Sequence, residues 1–254
     1  MRTIDFEKEV VKKRLENMDT LKREIMKLPN DSDLMKKVVN QADRYGLPVS
    51  YVIDNLKYGD DDMILNGFEK DPGRQNIYED LQLKYAKEMP CVMDVGKLPS
   101  GGKNAKYIQD GKIVGGSEFV GKKSGTKSLD LSWHFDFMGE SLYFYSTCKY
   151  TKDEGGAQDN QRNDVITFFK EAQKITDKNI FCVGIVDGEY YDRPRDKGAS
   201  WREIFNSEYY GPRCIATDSE HLPTVVRDII CEWLNCRGYI EKAKEITDAF
   251  SEFC

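Results

Sequence analysis

The sequence predicts a chain of α/β class, in the α+β sense: an antiparallel strand pair and one deeply buried strand set among helices, behind an all-helical N-terminal region. Three observations carry that expectation. Apolar residues recur at three- and four-residue steps through the first 70 residues. Apolar and polar residues alternate from Ser128 to Phe135. Asn179 to Val186 is a short, continuously apolar run, as expected of a strand covered on both faces. The chain divides on this basis into a helical region, 1–70, and a larger domain, 71–254.

Composition narrows the function before any motif is read. The 254 residues carry 38 Lys+Arg against 44 Asp+Glu, a net charge of −6, which excludes a uniformly basic nucleic-acid coat. With 39% hydrophobic residues the chain has material for a substantial core. No stretch approaches the ~18 consecutive apolar residues of a membrane span, and charges occupy the N-terminus where a signal peptide is apolar. The expectation is a soluble, cytoplasmic protein. Seven cysteines, an odd number with no CxxC pair, read as reduced and mostly buried thiols. The only histidines are His134 and His221, too few for a His-rich zinc hydrolase or a nuclease using His as both base and ligand. Neither GxxxxGK[ST] nor GxSxG occurs. What remains for chemistry is carboxylates, lysines and a metal.

Phe6, Val10, Val11, Leu15, Met18 and Leu21 mark a first amphipathic helix. A second begins at Asp31 or Ser32 and stops near Gly46-Leu-Pro48, and Val49 to Leu56 makes a third. Ala42, Gly46 and Val52 stand at helix-turn-helix spacing, but Asn55 takes the closing apolar position, so packed helices and a DNA-contacting pair both fit, and the role expected of 1–70 is DNA contact or dimerisation. Asp71-Pro-Gly73 breaks the chain. Arg74 to Glu88 is then a helix with Ile77, Leu81 and Tyr85 as its buried stripe and Glu79 beside it, either on the surface or aimed into a site. From Gly96 to Ser128 the chain is Gly- and Ser-rich, and Lys97, Lys103, Lys106, Lys112, Lys122, Lys123 and Lys127 face only Asp110 and Glu118. That patch suits phosphate-backbone contact, or solvated hairpin loops.

In the strand over Ser128–Phe135, Leu129, Leu131, Trp133 and Phe135 share one face and Asp130, Ser132 and His134 the other. Asp136 to Glu140 turns the chain, and Leu142 to Thr151 returns antiparallel, with Thr147 and Lys149 on one face. Lys152 to Gly156 is a loop, and Gln158 to Lys174 a helix with Val165, Phe168, Ala172 and Ile175 as its stripe.

Helix, hairpin, helix and buried strand, with an aspartate on one hairpin strand and a lysine on the next, resembles the PD-(D/E)XK nuclease superfamily, especially its type II restriction endonucleases. The residues carrying the resemblance are Gly115-Gly-Ser117, Asp130, Lys149, Gly155-Gly156 and Gln158 with Gln161, and it spans roughly residues 74–190. It implies a restriction-endonuclease-like core, a mixed central β-sheet flanked by helices. It also implies Mg²⁺-dependent, sequence-specific cleavage of double-stranded DNA, with Asp130, Lys149, Glu79 and Gln161 as catalytic residues. One departure stands out: the second acid of the family pattern, two residues before the lysine, is Thr147. Glu79 or Asp164 is its candidate replacement, Glu79 preferred.

Asp130, Glu79 and the backbone carbonyl of Cys148 would hold Mg²⁺, a hard cation that takes oxygen ligands. Lys149 would sit beside the attacking water, stabilising developing charge or, with its pKa lowered, removing a proton. Gln161 would orient water or a phosphate. A cross-strand Asp130–Lys149 ion pair and helix-end hydrogen bonding by Gln158 and Gln161 are the structural alternatives. Beyond the buried strand, Arg193, Arg195 and Arg202 join Lys122, Lys123 and Lys127 as candidate DNA contacts, against a solvated charged loop. Helices from Thr224 to Leu234 and from Ile240 to Phe253 cover the sheet or form a dimer contact. The expected assembly is a homodimer on palindromic DNA, in a prokaryotic cytoplasm, with a cognate methyltransferase as functional partner. The competing expectations are a non-cleaving DNA-binding protein with a degenerate core and a structure-specific repair nuclease.

Overall fold

The structure, a computed structural model, describes residues 4–30, 32–59, 65, 67–68, 77–120, 127–152, 156–195 and 198–253. The chain forms two units, Asp5–Ile77 and Tyr78–Cys254. The division falls a few residues past the expected break at Asp71-Pro-Gly73, which lies outside the described residues.

The first unit is helical: α1 (Phe6–Ile25), α2 (Ser32–Tyr45) and α3 (Val49–Tyr58). Asp5 caps α1 by accepting from the Lys8 amide at 3.0 Å. Leu21, Ile25, Val38, Ala42, Val52 and Leu56 close one small core. Gly46 takes φ +62° at the α2–α3 turn, and Ala42 and Val52 are buried against each other's helices. The Asn55 side chain donates to the Tyr51 carbonyl of its own helix at 2.8 Å.

The second unit is mixed α/β. Its elements are α4 (Ile77–Lys87), β1 (Met93–Lys97), β2 (Lys106–Gln109), β3 (Lys112–Gly115), β4 (Leu131–Phe137), β5 (Glu140–Tyr150), α5 (Gly156–Ala172), β6 (Ile180–Asp187), α6 (Trp201–Glu208), β7 (Cys214–Thr217), α7 (Leu222–Asn235) and α8 (Ile240–Phe253). Five strands form one sheet in the order β1-β4-β5-β6-β7, and β2–β3 is a separate hairpin. β1, β4 and β5 are antiparallel, whereas β5, β6 and β7 are parallel, so β5 is where the sheet changes sense. The β4–β5 turn is Met138-Gly139, both at positive φ (54° and 81°), the two-residue hairpin geometry that matches strand twist.

Each face of the sheet carries its own core. Leu131, Trp133, Phe135, Leu142, Phe144, Val183 and Ile185 pack against Val226, Ile230, Trp233, Ile246 and Phe250 of α7 and α8. The opposite face packs on α5 and α6 through Cys182, Val186, Ala216, Phe168, Phe169 and Phe205. Gly184 is what lets α5 approach, since a Cβ there would lie 2.6 Å from Phe169 Cζ. The expected faces of β4 hold except at Leu129, which belongs to the α5-side core, because the chain bends before the strand and bonds to β2. The apolar stripes of α7 and α8 cover the sheet, as one of the two expected uses required. No helix among the described residues is long and apolar enough to cross a membrane.

Candidate active site

The ladder between β4 and β5 ends at Leu131 opposite Ser146, and β5 runs on past that end. Asp130 sits at this opening. Its Oδ2 accepts from the Cys148 amide at 2.7 Å and the Thr147 hydroxyl at 3.1 Å, and lies 3.6 Å from Lys149 Nζ. Asp130 and Lys149 side chains are each 17% exposed, so the pair is largely but not fully withdrawn from solvent. Among the described residues no hydrogen bond reaches Asp130 Oδ1. In an extended strand the N–H and C=O of one residue leave on the same edge. The Cys148 amide points to Asp130, so the Cys148 carbonyl also leaves toward this opening, beyond the last β4 partner.

Thr147, where an acid was expected, is buried and buttresses Asp130 through its hydroxyl. The Cys148 thiol lies on the opposite face, in the α7–α8 core. Burial pushes it well up from the ordinary thiol value; the Asp130 charge adds to this and the Glu79 charge adds less, while Ser146 and Lys149 oppose. It is an inert core thiol. Of the described cysteines, Cys148, Cys182 and Cys214 are buried, Cys231 is half-buried, and Cys91 and Cys236 are exposed.

α4 brings Glu79 to the same end of the sheet. Lys97, the last residue of β1 and the partner of Leu131 in the ladder, places its Nζ 2.9 Å from Glu79 Oε2 and 3.2 Å from Asp80 Oδ1. Burial works against the Lys97 ammonium, but hydrogen bonds and charge from Glu79 and Asp80 outweigh it and hold the pKa above the ordinary lysine value. The helix is fastened to β5 at two points. Tyr78 stacks on Tyr150 with ring centroids 4.1 Å apart, and Gln82 Nε2 reaches the Lys149 carbonyl at 3.4 Å. Asp164, the other candidate acid, is ion-paired with Lys127 and lines a small cavity with Thr147, Leu129 and Phe168.

Gln161, on the first turns of α5, accepts from the Thr151 hydroxyl at 2.7 Å. Thr151 follows Lys149 by two residues, so Gln161 is tied to the chain just past the lysine. Gln158 has its side chain outside the described residues, as have Lys122 and Lys123 altogether.

The candidate DNA contacts scatter. Arg193 pairs with Glu189 at 2.6 Å. Arg195 lies over the Trp201 ring, 4.0 Å from its centroid, and Arg162 lies 4.8 Å from the same centroid. Arg202 is spent inside the fold: it pairs with Asp218 at 2.6 Å and with Asp192, and donates to the Val186 carbonyl at 3.1 Å.

The chain matches no family model, no curated protein and no solved structure. What the site does must therefore be read from its own residues.

Sequence reasoning missed two of them. Lys97 reads only as one lysine of a basic stretch suited to phosphate contact or to solvated hairpin loops, and Gln82 has no sequence signal at all, since a polar residue on a helix face reads as solvated. Yet Gln82 is fully buried, and its Nε2 donates to Asp187 Oδ2 at 2.5 Å. Asp187, at the end of β6, is 5% exposed and also accepts from the Ser219 amide at 2.8 Å and the Ser219 hydroxyl at 2.6 Å. Burial raises the Asp187 pKa above the ordinary carboxylate value, against the lowering effect of those bonds.

Among the described residues no three Asp, Glu, His or Cys side chains converge as a closed metal cage. The donor set is nonetheless suited to Mg²⁺, which keeps several waters and is held by one or two carboxylates. Asp130 offers its second oxygen, the Cys148 carbonyl faces the same opening, and Glu79 borders it. All three are hard oxygen donors.

Proposed function

We propose that the chain is a type II restriction endonuclease: a Mg²⁺-dependent hydrolase of phosphodiester bonds in double-stranded DNA at a specific sequence. The observation that carries this reading is the approach of Lys149 to Asp130 within 3.6 Å at the open end of the β4–β5 pair. The strand order around it, antiparallel before β5 and parallel after, with α5 crossing between, supports a core of the restriction-endonuclease type.

In this reading Asp130, Glu79 and the Cys148 carbonyl would hold Mg²⁺, which would supply Lewis acidity for phosphodiester hydrolysis. Asp130 is held in one orientation by the Cys148 amide and the Thr147 hydroxyl, so one oxygen is fixed and the other faces outward. Lys149 carries positive charge to the phosphate oxygens as charge builds in the transition state. Gln161, anchored by Thr151, presents its amide nitrogen as a donor to water or phosphate. Lys127, Arg193 and Arg195 are the described basic residues assigned to DNA contact. The assembly assigned is a homodimer, working with a methyltransferase that protects the same sequence.

The test is incubation of the purified protein with fully sequenced, unmethylated DNA in Mg²⁺ or in chelator, followed by sequencing of new ends. Discrete metal-dependent ends are expected, and Lys149→Ala should abolish them while keeping the fold. Cutting that persists in purified Lys149→Ala refutes the assignment. Thr147 in place of an acid favours one other reading, a DNA-binding protein with a degenerate core. That protein would retain DNA and produce no ends at any Mg²⁺ or Mn²⁺ concentration.

A further inference from the structure

We infer that Gln82 is a positioning residue, setting the place of the Glu79 carboxylate against Asp130 and Lys149 through a buried hydrogen-bond chain that ends on Ser219. The inference rests on the nuclease reading, because the property it assigns is the geometry of the metal-binding carboxylates.

One amide group joins four elements. Gln82 Nε2 donates to the Lys149 carbonyl at 3.4 Å and to Asp187 Oδ2 at 2.5 Å. Asp187 in turn accepts from the Ser219 amide and hydroxyl, at 2.8 and 2.6 Å. α4 is thereby tied to the carboxyl ends of β5 and β6 and to the residue pair that follows β7. Every side chain in the chain of bonds is buried: Gln82 0%, Ser219 2% and Asp187 5% exposed. Glu79 precedes Gln82 by three residues, which puts both on one helix face a turn apart. Fixing Gln82 therefore fixes the Glu79 backbone, from which Lys97 holds the carboxylate at 2.9 Å.

The second observation is a cost. Gln82 Oε1 is buried with no hydrogen-bond partner among the described residues. An unsatisfied buried acceptor is destabilising, and an apolar side chain of similar volume would avoid it. The amide answers the buried Asp187 carboxylate, and its second bond, to the Lys149 carbonyl, ties α4 to β5 as well. What the amide does that leucine cannot is hold α4 at one rotation and one height against the strand that carries Lys149.

The test compares full-length wild type and Gln82→Leu in four measurements. These are thermal melting, DNA binding without divalent metal, cleavage as a function of Mg²⁺, and Mn²⁺ binding without DNA, followed by electron paramagnetic resonance of the free ion. Melting should fall, because the variant strands the buried Asp187 Oδ2 and the Lys149 carbonyl even as it removes an orphan acceptor, whereas DNA affinity without divalent metal should match wild type. Mn²⁺ affinity and half-saturating Mg²⁺ should worsen about 10-fold, the usual effect of losing a residue that orients a ligand. The cleavage rate at saturating metal should fall by up to about 10²-fold, the effect of a shift of about 1 Å in a reacting geometry. Wild-type Mn²⁺ affinity and cleavage within twofold in a folded variant overturn the inference. If Gln82→Leu does not fold, Gln82→Met, an unbranched chain of similar length, carries the same comparison. If wild type itself cuts no DNA in Mg²⁺ or Mn²⁺, the nuclease reading has failed, and the Mn²⁺ titration alone decides. Weaker Mn²⁺ binding by the variant then sustains the positioning role, and equal binding, or none by either protein, overturns it.

Discussion

Asp130→Asn separates the chemistry of the site from its architecture, because it removes a charge and almost no volume. The carboxylate now serves the Cys148 amide at 2.7 Å, the Thr147 hydroxyl at 3.1 Å and the Lys149 ammonium at 3.6 Å. An asparagine oxygen can keep the first two bonds as neutral ones, each losing about 1 kcal/mol of charge assistance. The ion pair is partly buried and contributes a further amount of up to about 1 kcal/mol. The expected destabilisation is thus about 2–3 kcal/mol, which for a chain of this size lowers Tm by about 5–10 °C. Cleavage should fall far more, by at least about 10²-fold, because the carboxylate is also assigned to the metal. The assay is a near-ultraviolet circular dichroism melt and single-turnover cleavage on one preparation. A variant that cuts within tenfold of wild type in Mg²⁺ would refute the site assignment. A variant unfolded at 25 °C would refute the energetic estimate, by showing Asp130 to be a structural hub.

Two other outcomes follow from the packing. Gly184→Ala puts a methyl group 2.6 Å from Phe169 Cζ and 2.8 Å from Cε2 in a buried layer, and such overpacking costs about 1–3 kcal/mol, read as a lowered denaturation midpoint. For Asp187, burial raises the folded-state pKa, so its proton is held more tightly in the folded than in the unfolded chain. Its contribution to stability is complete below the ordinary carboxylate range and is lost as pH rises through the raised value. Asp187→Asn lacks that loss but meets Gln82 Nε2 with a second donor, so its stability deficit should be largest in acid and shrink as pH rises from the carboxylate range. A deficit that grows with pH, measured by urea titration at successive pH values, contradicts the direction.

Much of the fold was legible because burial leaves a periodic trace. β4 and β5 declared themselves by alternation, β6 by an unbroken apolar run, and α7 and α8 by their stripes. β1 left no trace, because Met93–Lys97 is an edge strand with mostly exposed or half-buried residues and a register break after Met93. β2, β3 and β7 have four residues each, too few for a pattern to emerge from chance. At the site, Asp130 and Lys149 were legible through their spacing on paired strands. Gln82 and Lys97 were not, since their roles depend on which element lies opposite, and a helix face or a short edge strand does not state that locally. Arg202 shows the converse: a charge in a loop context that looked available is consumed by Asp192, Asp218 and a strand carbonyl.

The change of sense at β5 has a consequence for motion. That strand is paired on both edges, with β4 on one side and β6 on the other, and its middle residues Phe144, Ser146 and Cys148 are buried. Amide hydrogens there exchange with solvent only when the whole unit opens, whereas those of β1, held on one edge, exchange by local fraying. Lys149 lies just past that doubly paired stretch, where β5 is paired with β6 alone. In the nuclease reading, a rearrangement that admits a double helix falls to the segments around the sheet and not to the doubly paired part of β5.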